Sequence, residues 1–328
     1  MLAGINFHYI RTNFKQKYPS IFGVTPAQFE AQLIELSKHG EFVSQTQLRN
    51  AIVNSDPLPE NSLLITFDDG LREQYESAVP VLDRLGIPAI FFACSRPQVE
   101  SRILDVHRIH ILRSEKAPQE ILDLLIPFME SRGRSKDLTE LYKQAESTYR
   151  YDQGQNALVK YIINFLINPL DKTEFLDQAF DNLLPGREEV LFKELYMTTE
   201  QLCDLASRDY LGVHGHDHSP VGGLSNSDQE YQITESKRLL QNLVKLPLDC
   251  FSYPHGTYEA SKGMASKLRE ADYTMAFTME RGINQNLNSP FYIARFDTND
   301  VPLGKSCRFA NNDLFQNLPF QSLDYNNS

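Results

Sequence analysis

"LLITFDDGLREQYESAVPVLDRLGIPAIFFA", residues 63–93, is the stretch of sequence that decides the fold. Its apolar run SLLITF (62–67, with the preceding serine) predicts a buried strand, and REQYESAVPVLDRLG (72–86) predicts a helix that ends at a glycine. IPAIFFA (87–93) is a second apolar strand. Neither strand alternates polar and apolar residues, which is typical of a parallel sheet covered by helices on its faces.

The same alternation of strands and helices extends outward in both directions. AGINFHYI (3–10) precedes the stretch, and four further strand candidates follow it: YLGVHG (210–215), DCFSYP (249–254), YTMAFTM (273–279) and FYIARFD (291–297). Helical patterns separate them, among them one from Thr25 to Gly40 with a capping box and one capped by Ser227 and Glu230. About seven strand–helix units in one chain favour a barrel-like α/β fold over an open sheet.

One long segment interrupts the alternation. Residues 97–197 are rich in amphipathic helix, for example PQEILDLLIPFMESRG (118–133), and contain no clear strand. We expect a helical insertion in the loop after the strand at 87–93, or alternatively a separately folding helical domain. The barrel domain is then 1–328, interrupted by 97–197. The polar end of the chain, from residue 309, is expected to fray.

Composition excludes several classes of protein. The net charge of −11 and the lack of a Lys/Arg stripe argue against nucleic-acid binding. No apolar leader begins the sequence and no run of about 18 apolar residues follows, so we predict a cytoplasmic protein without a transmembrane segment. The four scattered cysteines form no CxxC pair and indicate reduced thiols rather than disulfides or zinc ligands.

Asp68 and Asp69 place two like charges side by side where the first apolar strand ends. Such a pair is either a solvated turn or a site at which one carboxylate holds a cation and the other handles a proton. A second stretch, LGVHGHDHSP (211–220), bears on this choice because three histidines lie within five residues at the end of another strand.

His214 and His218, four residues apart, can converge on one metal ion if the turn between them is helix-like. Two imidazoles and one carboxylate form an open site suited to zinc and its first-row neighbours. The carboxylate would be Asp68 or Asp69, because a barrel brings the carboxyl ends of its strands to one face.

A third stretch, CFSYPHGTYE (250–259), also ends a strand. Its Pro254 and Gly256 predict a tight turn that could aim the backbone N–H of His255 into the barrel mouth. That N–H would suit a developing oxyanion. The alternative is an ordinary turn at a strand end.

In order, TFDDG (66–70), HGHDH (214–218) and FSYPHG (251–256) resemble the motifs of the polysaccharide deacetylases of the NodB-homology class, carbohydrate esterase family 4. The resemblance covers about residues 1–95 and 196–300. It implies a distorted (β/α) barrel of about seven parallel strands. It also implies a metal-dependent hydrolase that removes N-acetyl groups from an amino sugar in a polysaccharide or glycan precursor. A carbohydrate is then the substrate and a divalent ion the cofactor, with Zn²⁺ as the first choice, while protein partners stay undefined.

Taken position by position, the resemblance implies that Asp68 is the general base. It implies that Asp69, His214 and His218 are the metal ligands. His216, between two ligand positions, is expected to support them rather than bind the ion. The segment with His255 is expected to stabilise the tetrahedral intermediate through its backbone N–H.

The sequence departs from the family pattern at two points. Ser252 stands where many relatives have an arginine that pairs with the aspartate base, and Arg295 is our candidate replacement. No histidine follows His255, although relatives use a later one as general acid. His255 itself and His8, at the end of the first strand, are the two candidates for that role.

Two other functions stay open. The same barrel could serve an amidase for a non-sugar C–N bond, since fold alone does not choose a substrate. A degenerate barrel could instead bind glycan or a partner protein without catalysis, which the two departures favour. The intact aspartate pair and both histidine ligands argue against that reading.

Overall fold

The computed structural model describes residues 1–18, 20–134, 137–149, 153–307, 309, 314 and 315. The chain divides into two compact units. The first comprises Met1–Asn13, Gly23–Arg102 and Glu194–Ser328, and the second comprises Phe14–Phe22 and Ile103–Lys193. The insertion boundaries predicted at 97 and 197 stay a prediction. Apart from residues 309, 314 and 315, the tail that we expected to fray lies outside the described residues.

Within the described chain, the first unit contains a nearly closed barrel of seven parallel strands surrounded by helices, which confirms the predicted fold. The strands are β1 (Leu2–Phe7), β2 (Ser62–Phe67), β3 (Ala89–Ala93), β4 (Leu211–Val213), β5 (Cys250–Ser252), β6 (Met275–Phe277) and β7 (Arg295–Asp297). Their order is β7-β1-β2-β3-β4-β5-β6, so neighbours in the barrel are neighbours in sequence apart from the pair β1 and β7.

Between β6 and β7 the described residues form a single bridge, Phe277 with Ile293, rather than a strand ladder. The Ile293 N–H donates to the Ala276 carbonyl at 2.9 Å, and the Ile293 carbonyl accepts from the Thr278 N–H at 2.9 Å. A short strand, Glu41–Phe42, also pairs with the start of β2. The predicted strand 3–10 breaks at His8, after which Tyr9–Ile10 pairs with Gly23–Val24 in a separate small sheet.

Helix boundaries follow their capping residues. The Thr25 hydroxyl accepts from the Gln28 N–H while the Gln28 side chain accepts from the Thr25 N–H, as the sequence predicted. The cap predicted at Ser227 is wrong, because Ser225 caps that helix instead. The described helices of the first unit are Pro26–Leu36, Gln45–Asn54, Gln74–Ala78 with π hydrogen bonds, Val79–Leu85, Arg96–Glu100, Thr199–Ser207, Val221–Gly223 with 3₁₀ bonds, Asn226–Glu230, Tyr231–Glu235 with π bonds, Ser236–Val244, Tyr258–Ser261 and Ala265–Glu270.

Two apolar layers stabilise the barrel. Every residue of β1, β2 and β3 is buried, as the continuous apolar runs predicted. One layer lies between strands and helices and includes the stacked rings of Phe67 and Phe91, 4.4 Å apart. A second cluster includes Leu64, Phe92 and Phe277. Burial of such side chains contributes about 1.5–3 kcal/mol each.

The second unit is helical in its described residues. Its segment Phe14–Phe22 is tied to the helices by the Tyr18 N–H, which donates to the Ser114 carbonyl at 3.1 Å. The fully buried Arg108 pairs with Asp177 at 2.8 Å and lies over the Phe180 ring. The helices that begin in this unit are Asp105–Glu115, Pro118–Ser131, Leu138–Thr148, Gly154–Tyr161, Ile162–Leu166 with π bonds, Pro169–Leu183 and Arg187–Leu195.

Two expectations from composition can be compared with the structure. Within the described residues, no helix combines the length and the apolar character that crossing a membrane requires. Within the part of the chain that the structure describes, none of the four cysteines forms a disulfide.

Candidate metal and catalytic site

Polar side chains gather at the carboxyl ends of the barrel strands. Asp68 and Asp69 follow β2, His214 follows β4, and Arg295 is the first residue of β7. Asp68, Asp69 and His214 are buried, with 2%, 5% and 1% of their surfaces exposed, and Arg295 is fully buried. Buried charges need partners, so their contacts show how this end of the barrel is organised.

The turn after β2 has an uncommon backbone. Asp69 has φ 82° and Gly70 has φ 66°, and non-glycine residues with positive φ are concentrated at functional sites. A Cβ on Gly70 would lie 2.9 Å from the Cβ of Ala93, so the close approach of β3 also requires glycine there. The side chain of Gln74 stabilises this turn. Its Nε2 donates to the backbone carbonyl of Asp68 at 2.6 Å, and its Oε1 accepts from the Leu71 N–H.

Three side chains of this end converge on one point. The Nε2 atoms of His214 and His218 lie 3.5 and 3.4 Å from Oδ1 of Asp69, and all three potential ligand atoms lie within 4.8 Å of one another. Nδ1 of His214 donates to the Ser252 carbonyl at 2.8 Å, which leaves Nε2 with the lone pair that a metal ion would bind. The structure thus brings together the three residues predicted as metal ligands.

The electrostatics of the cluster suit a cation. Burial alone lowers the pKa of His214, but the negative charges of Asp68 and then Asp69 raise it above its ordinary value. A cation, whether a proton or a metal ion, is therefore favoured between His214 and Asp69. Two imidazoles with one carboxylate are the donor set of open zinc sites, so these residues fit a divalent metal ion.

Asp68 has different partners from its neighbour. Its Oδ1 accepts from Arg295 Nη1 at 3.0 Å, and its Oδ2 accepts from Arg295 Nη2 and from Asn6 Nδ2, both at 2.9 Å. Burial raises the pKa of the Asp68 carboxyl, but the charge of Arg295, with a smaller effect of His214, lowers it to about 2. Asp68 is therefore a carboxylate at neutral pH.

The guanidinium of Arg295 is hydrogen-bonded on every side. We predicted that Arg295 pairs with Asp68, and the structure places it in that contact, while its role in a reaction stays a prediction. The remaining acceptors are the Thr278 carbonyl at 3.0 Å from Nε, Asn6 Oδ1 at 3.0 Å and Thr66 Oγ1 at 3.1 Å from Nη1, and Ser252 Oγ at 2.8 Å from Nη2.

Gly4 makes room for that arginine. It is the register partner of Arg295 in the β1–β7 pair, and a Cβ on it would lie 2.8 Å from the Arg295 Cγ and 3.2 Å from the Ala294 carbonyl oxygen. At the position where relatives have an arginine, Ser252 supplies only a hydroxyl acceptor. The guanidinium thus reaches Asp68 from β7 rather than from β5.

His216 lies between the two predicted ligands in sequence but makes other contacts. Its Nδ1 is 2.8 Å from Ser95 Oγ and its Nε2 is 3.0 Å from Glu100 Oε1. Its backbone N–H donates to Oε1 of Gln232 at 2.8 Å. The loop that carries His214 and His218 is therefore fastened at its middle, in agreement with a supporting role for His216.

The two candidates for general acid lie at the edge of this cluster. His255 is exposed, has φ 63°, and its ring centroid is 5.1 Å from that of His218. His8 is half-buried, and its side chain is among the groups that lower the pKa of Asp68. Both are thus close to the predicted ligands and base.

Sequence reasoning missed three amides that organise the site. Asn6, Gln74 and Gln232 are all buried, and they hold the Asp68 carboxylate, the turn after β2 and the histidine loop. Asn6 was visible as a polar residue in the middle of an apolar strand, which is a signal for a buried hydrogen-bonded site. Gln74 and Gln232 stand on helices with no comparable signal.

The chain matches a known family model. Residues 55–123 and 198–276 match the model of the polysaccharide deacetylase family, and these two segments contain the three motifs quoted above. His8 and Arg295 lie outside the matched segments. The resemblance inferred from the motifs is confirmed. None of the curated protein sequences compared with the chain matches it.

Solved structures show the same fold. The Streptococcus pyogenes deacetylase PplD, in complex with acetate, is 13% identical with a TM-score of 0.51, over 90% of this chain and 91% of that one. IcaB from Ammonifex degensii is 17% identical with a TM-score of 0.52, over 90% of each chain. The BpsB deacetylase domain from Bordetella bronchiseptica is 14% identical with a TM-score of 0.50, over 90% of this chain and 95% of that one. At these identities the likeness establishes the fold.

Proposed function

We propose that the chain is a metal-dependent hydrolase of the polysaccharide deacetylase family, which removes N-acetyl groups from an amino sugar in a polysaccharide or a glycan precursor. One observation carries the proposal. Asp69, His214 and His218 present their ligand atoms within 4.8 Å of one another, directly beside the buried carboxylate of Asp68. A ligand set next to a separate ionised acid is what hydrolysis of an amide requires.

Asp69, His214 and His218 would hold the divalent ion, for which Zn²⁺ is the first choice. When bound, such an ion polarises the acyl oxygen and makes a water molecule more acidic. The hydrogen bond from His214 to the Ser252 carbonyl keeps the imidazole in the tautomer that can bind a metal ion. Gln232 and His216 hold the loop on which both histidines stand.

Asp68 would accept the proton of the attacking water. Arg295 keeps that carboxylate ionised and fixed in orientation through two parallel hydrogen bonds. A base with a pKa of about 2 is weak in the ion-free chain, so its value lies in position and constant ionisation rather than in basicity. The Asp68 oxygens would therefore receive a proton only from a strongly acidified water.

The leaving amine needs a proton, and the developing oxyanion needs a donor. His255 is our first choice for the proton because its exposed ring lies beside His218, and His8 is the second. The backbone N–H of His255 is the proposed oxyanion donor, a contribution of roughly 3 kcal/mol to transition-state stabilisation. A comparison of His255→Gln with His8→Gln, by kcat for acetate release, would distinguish the two acids.

Metal content and acetate release together test the proposal. The purified chain and its His214→Ala and His218→Ala variants would be analysed for metals by mass spectrometry, with His39→Ala, in the turn after the first helix and outside the site, as a control. Acetate release from a tetramer of N-acetylglucosamine and from acetanilide would be measured before chelation, after it, and after addition of zinc. We expect about one ion per chain, lost in both site variants but not in His39→Ala, and acetate release from the saccharide that follows the ion.

Each other outcome refutes part of the proposal. A wild type that neither contains metal nor takes up zinc would contradict metal dependence. Release of acetate from the anilide alone would favour the amidase, and bound metal without turnover on either compound would favour a glycan-binding protein. The cytoplasmic location stays a prediction, which fractionation of the producing cells would test.

A further inference from the structure

The proposed base, Asp68, forms a closed ring of hydrogen bonds with two other buried side chains, Asn6 and Arg295. Asn6 Nδ2 donates to Oδ2 of Asp68 at 2.9 Å, and Asn6 Oδ1 accepts from Arg295 Nη1 at 3.0 Å. Arg295 in turn donates to both oxygens of Asp68. Asn6 and Arg295 are fully buried and Asp68 is 2% exposed, so breaking any bond of this ring leaves a buried polar group unpaired.

The ring treats the two carboxylate oxygens differently. Oδ2 of Asp68 has two donors of its own, Arg295 Nη2 and Asn6 Nδ2. Oδ1 has one, Arg295 Nη1, and that nitrogen also lies 3.0 Å from Asn6 Oδ1 and 3.1 Å from Thr66 Oγ1. Each terminal nitrogen of a guanidinium carries two hydrogens. Nη1 therefore shares two hydrogens among three acceptors, Asp68 Oδ1, Asn6 Oδ1 and Thr66 Oγ1.

We propose that Asn6 is a positioning residue for the Asp68 carboxylate. It anchors Oδ2 and draws part of the Nη1 donation away from Oδ1, so Oδ1 is the oxygen left to accept the proton of the attacking water. Asn6 acts through Asp68 and touches no reacting atom. This inference rests on the proposed hydrolytic function, and it assigns a role to a residue outside the matched family segments.

Asn6→Ala tests the assignment, with Gln45→Ala as a matched control. Gln45 is also a buried amide, 2% exposed, and it donates to Asp209 at 3.1 Å and Asp249 at 3.3 Å, near the amino ends of β4 and β5. Both variants lose buried amide bonds and stability, but only one of them touches the site. Equal metal content in all three proteins would be verified first.

Two readouts distinguish positioning from a merely structural role. For the N-acetylglucosamine tetramer, Asn6→Ala should lower kcat by roughly ten- to a hundredfold, the value of one charge-assisted bond, with KM within about twofold. Gln45→Ala should keep kcat within about twofold. In ¹⁵N spectra of arginine-labelled protein, with Arg295 assigned from Arg295→Lys, Asn6→Ala should shift the Nη1 signals and Gln45→Ala should not.

The two failures are distinguishable. Unchanged Nη1 signals, or an unchanged kcat in Asn6→Ala, would overturn the positioning role while leaving the proposed function intact. A wild type without turnover would refute the proposed function and with it the role of Asn6, and the spectra would still report whether the ring of hydrogen bonds exists. If KM of Asn6→Ala rose by the same factor by which kcat/KM fell, the positioning role would also be overturned.

Discussion

Replacing Arg295 by methionine should destabilise the barrel severely. The substitution leaves the Asp68 carboxylate buried without its cation, and breaking a buried ion pair from one side costs about 3–5 kcal/mol. The pKa of Asp68 gives an independent value. A carboxyl whose pKa falls from 3.8 to about 2 on folding contributes about 2.4 kcal/mol at neutral pH, which is below that range but of the same order.

The pH dependence has a definite sign. Because the pKa of folded Asp68 lies below its unfolded value, the contribution is complete above about pH 4 and is lost as the pH falls through about 2. The free-energy difference between wild type and Arg295→Met should therefore shrink over that range. Adding Asp68→Asn to Arg295→Met removes the orphaned charge and should recover about 2 kcal/mol.

Hydrogen exchange is the appropriate assay. The chain divides into two units, so a single unfolding midpoint would mix them, whereas exchange of the amides in β1 and β2 reports the barrel alone. Arg84→Met, which breaks the exposed pair with Glu30, is the control and should leave those amides unchanged. Effects of Asp68→Asn and Arg295→Met that add within about 0.5 kcal/mol would refute the argument, because the two side chains would then be uncoupled.

Three further predictions concern the same end of the barrel. Asp69→Asn should lose the bound metal, whereas Asp68→Asn should keep the metal and lower kcat by roughly a hundredfold or more. Metal analysis beside acetate release checks both variants, and normal turnover in Asp68→Asn would contradict the role of Asp68 as base. Gly70→Ala should cost about 2–4 kcal/mol, because it combines a positive φ with a 2.9 Å contact to Ala93, and hydrogen exchange in β2 would measure it. Gln74→Met, of similar volume, should cost about 1–3 kcal/mol through the unpaired turn carbonyl, and a stability equal to wild type would show that the amide is dispensable.

Local rules predicted the elements and the metal ligands. The apolar runs that became β2 and β3 could be read from sequence because strands buried on both faces exclude polar residues. That an aspartate after β2 would meet His214 and His218 followed from one property of parallel barrels, which is that strand ends share a face. The choice of Asp69 over Asp68 rested on the family resemblance. Neither inference required knowledge of how strands align.

The register between neighbouring strands could not be predicted from the sequence. That Gly4 stands opposite Arg295, and that Asn6 meets both the arginine and Asp68, depends on which residues face each other across β1 and its two neighbours. The roles of Gly4 and Asn6 can be assigned only once this alignment of the strands is known. For the same reason the inclusion of Phe14–Phe22 in the helical second unit could not be foreseen, since nothing local in that segment points to a partner about a hundred residues away.

The pairing of β1 with β7 has a consequence for the order in which the chain folds. Asp68 and Arg295 are 227 residues apart in sequence, so during synthesis from the amino end the carboxylate emerges long before its cation. Until then, enclosing Asp68 would bury an uncompensated charge, which costs several kcal/mol. We therefore expect the nascent barrel to stay open at this end, so that fragments that stop before residue 295 expose it to proteases. When β7 is added, it pairs with β1 in the barrel, and its Arg295 neutralises the buried charge of Asp68.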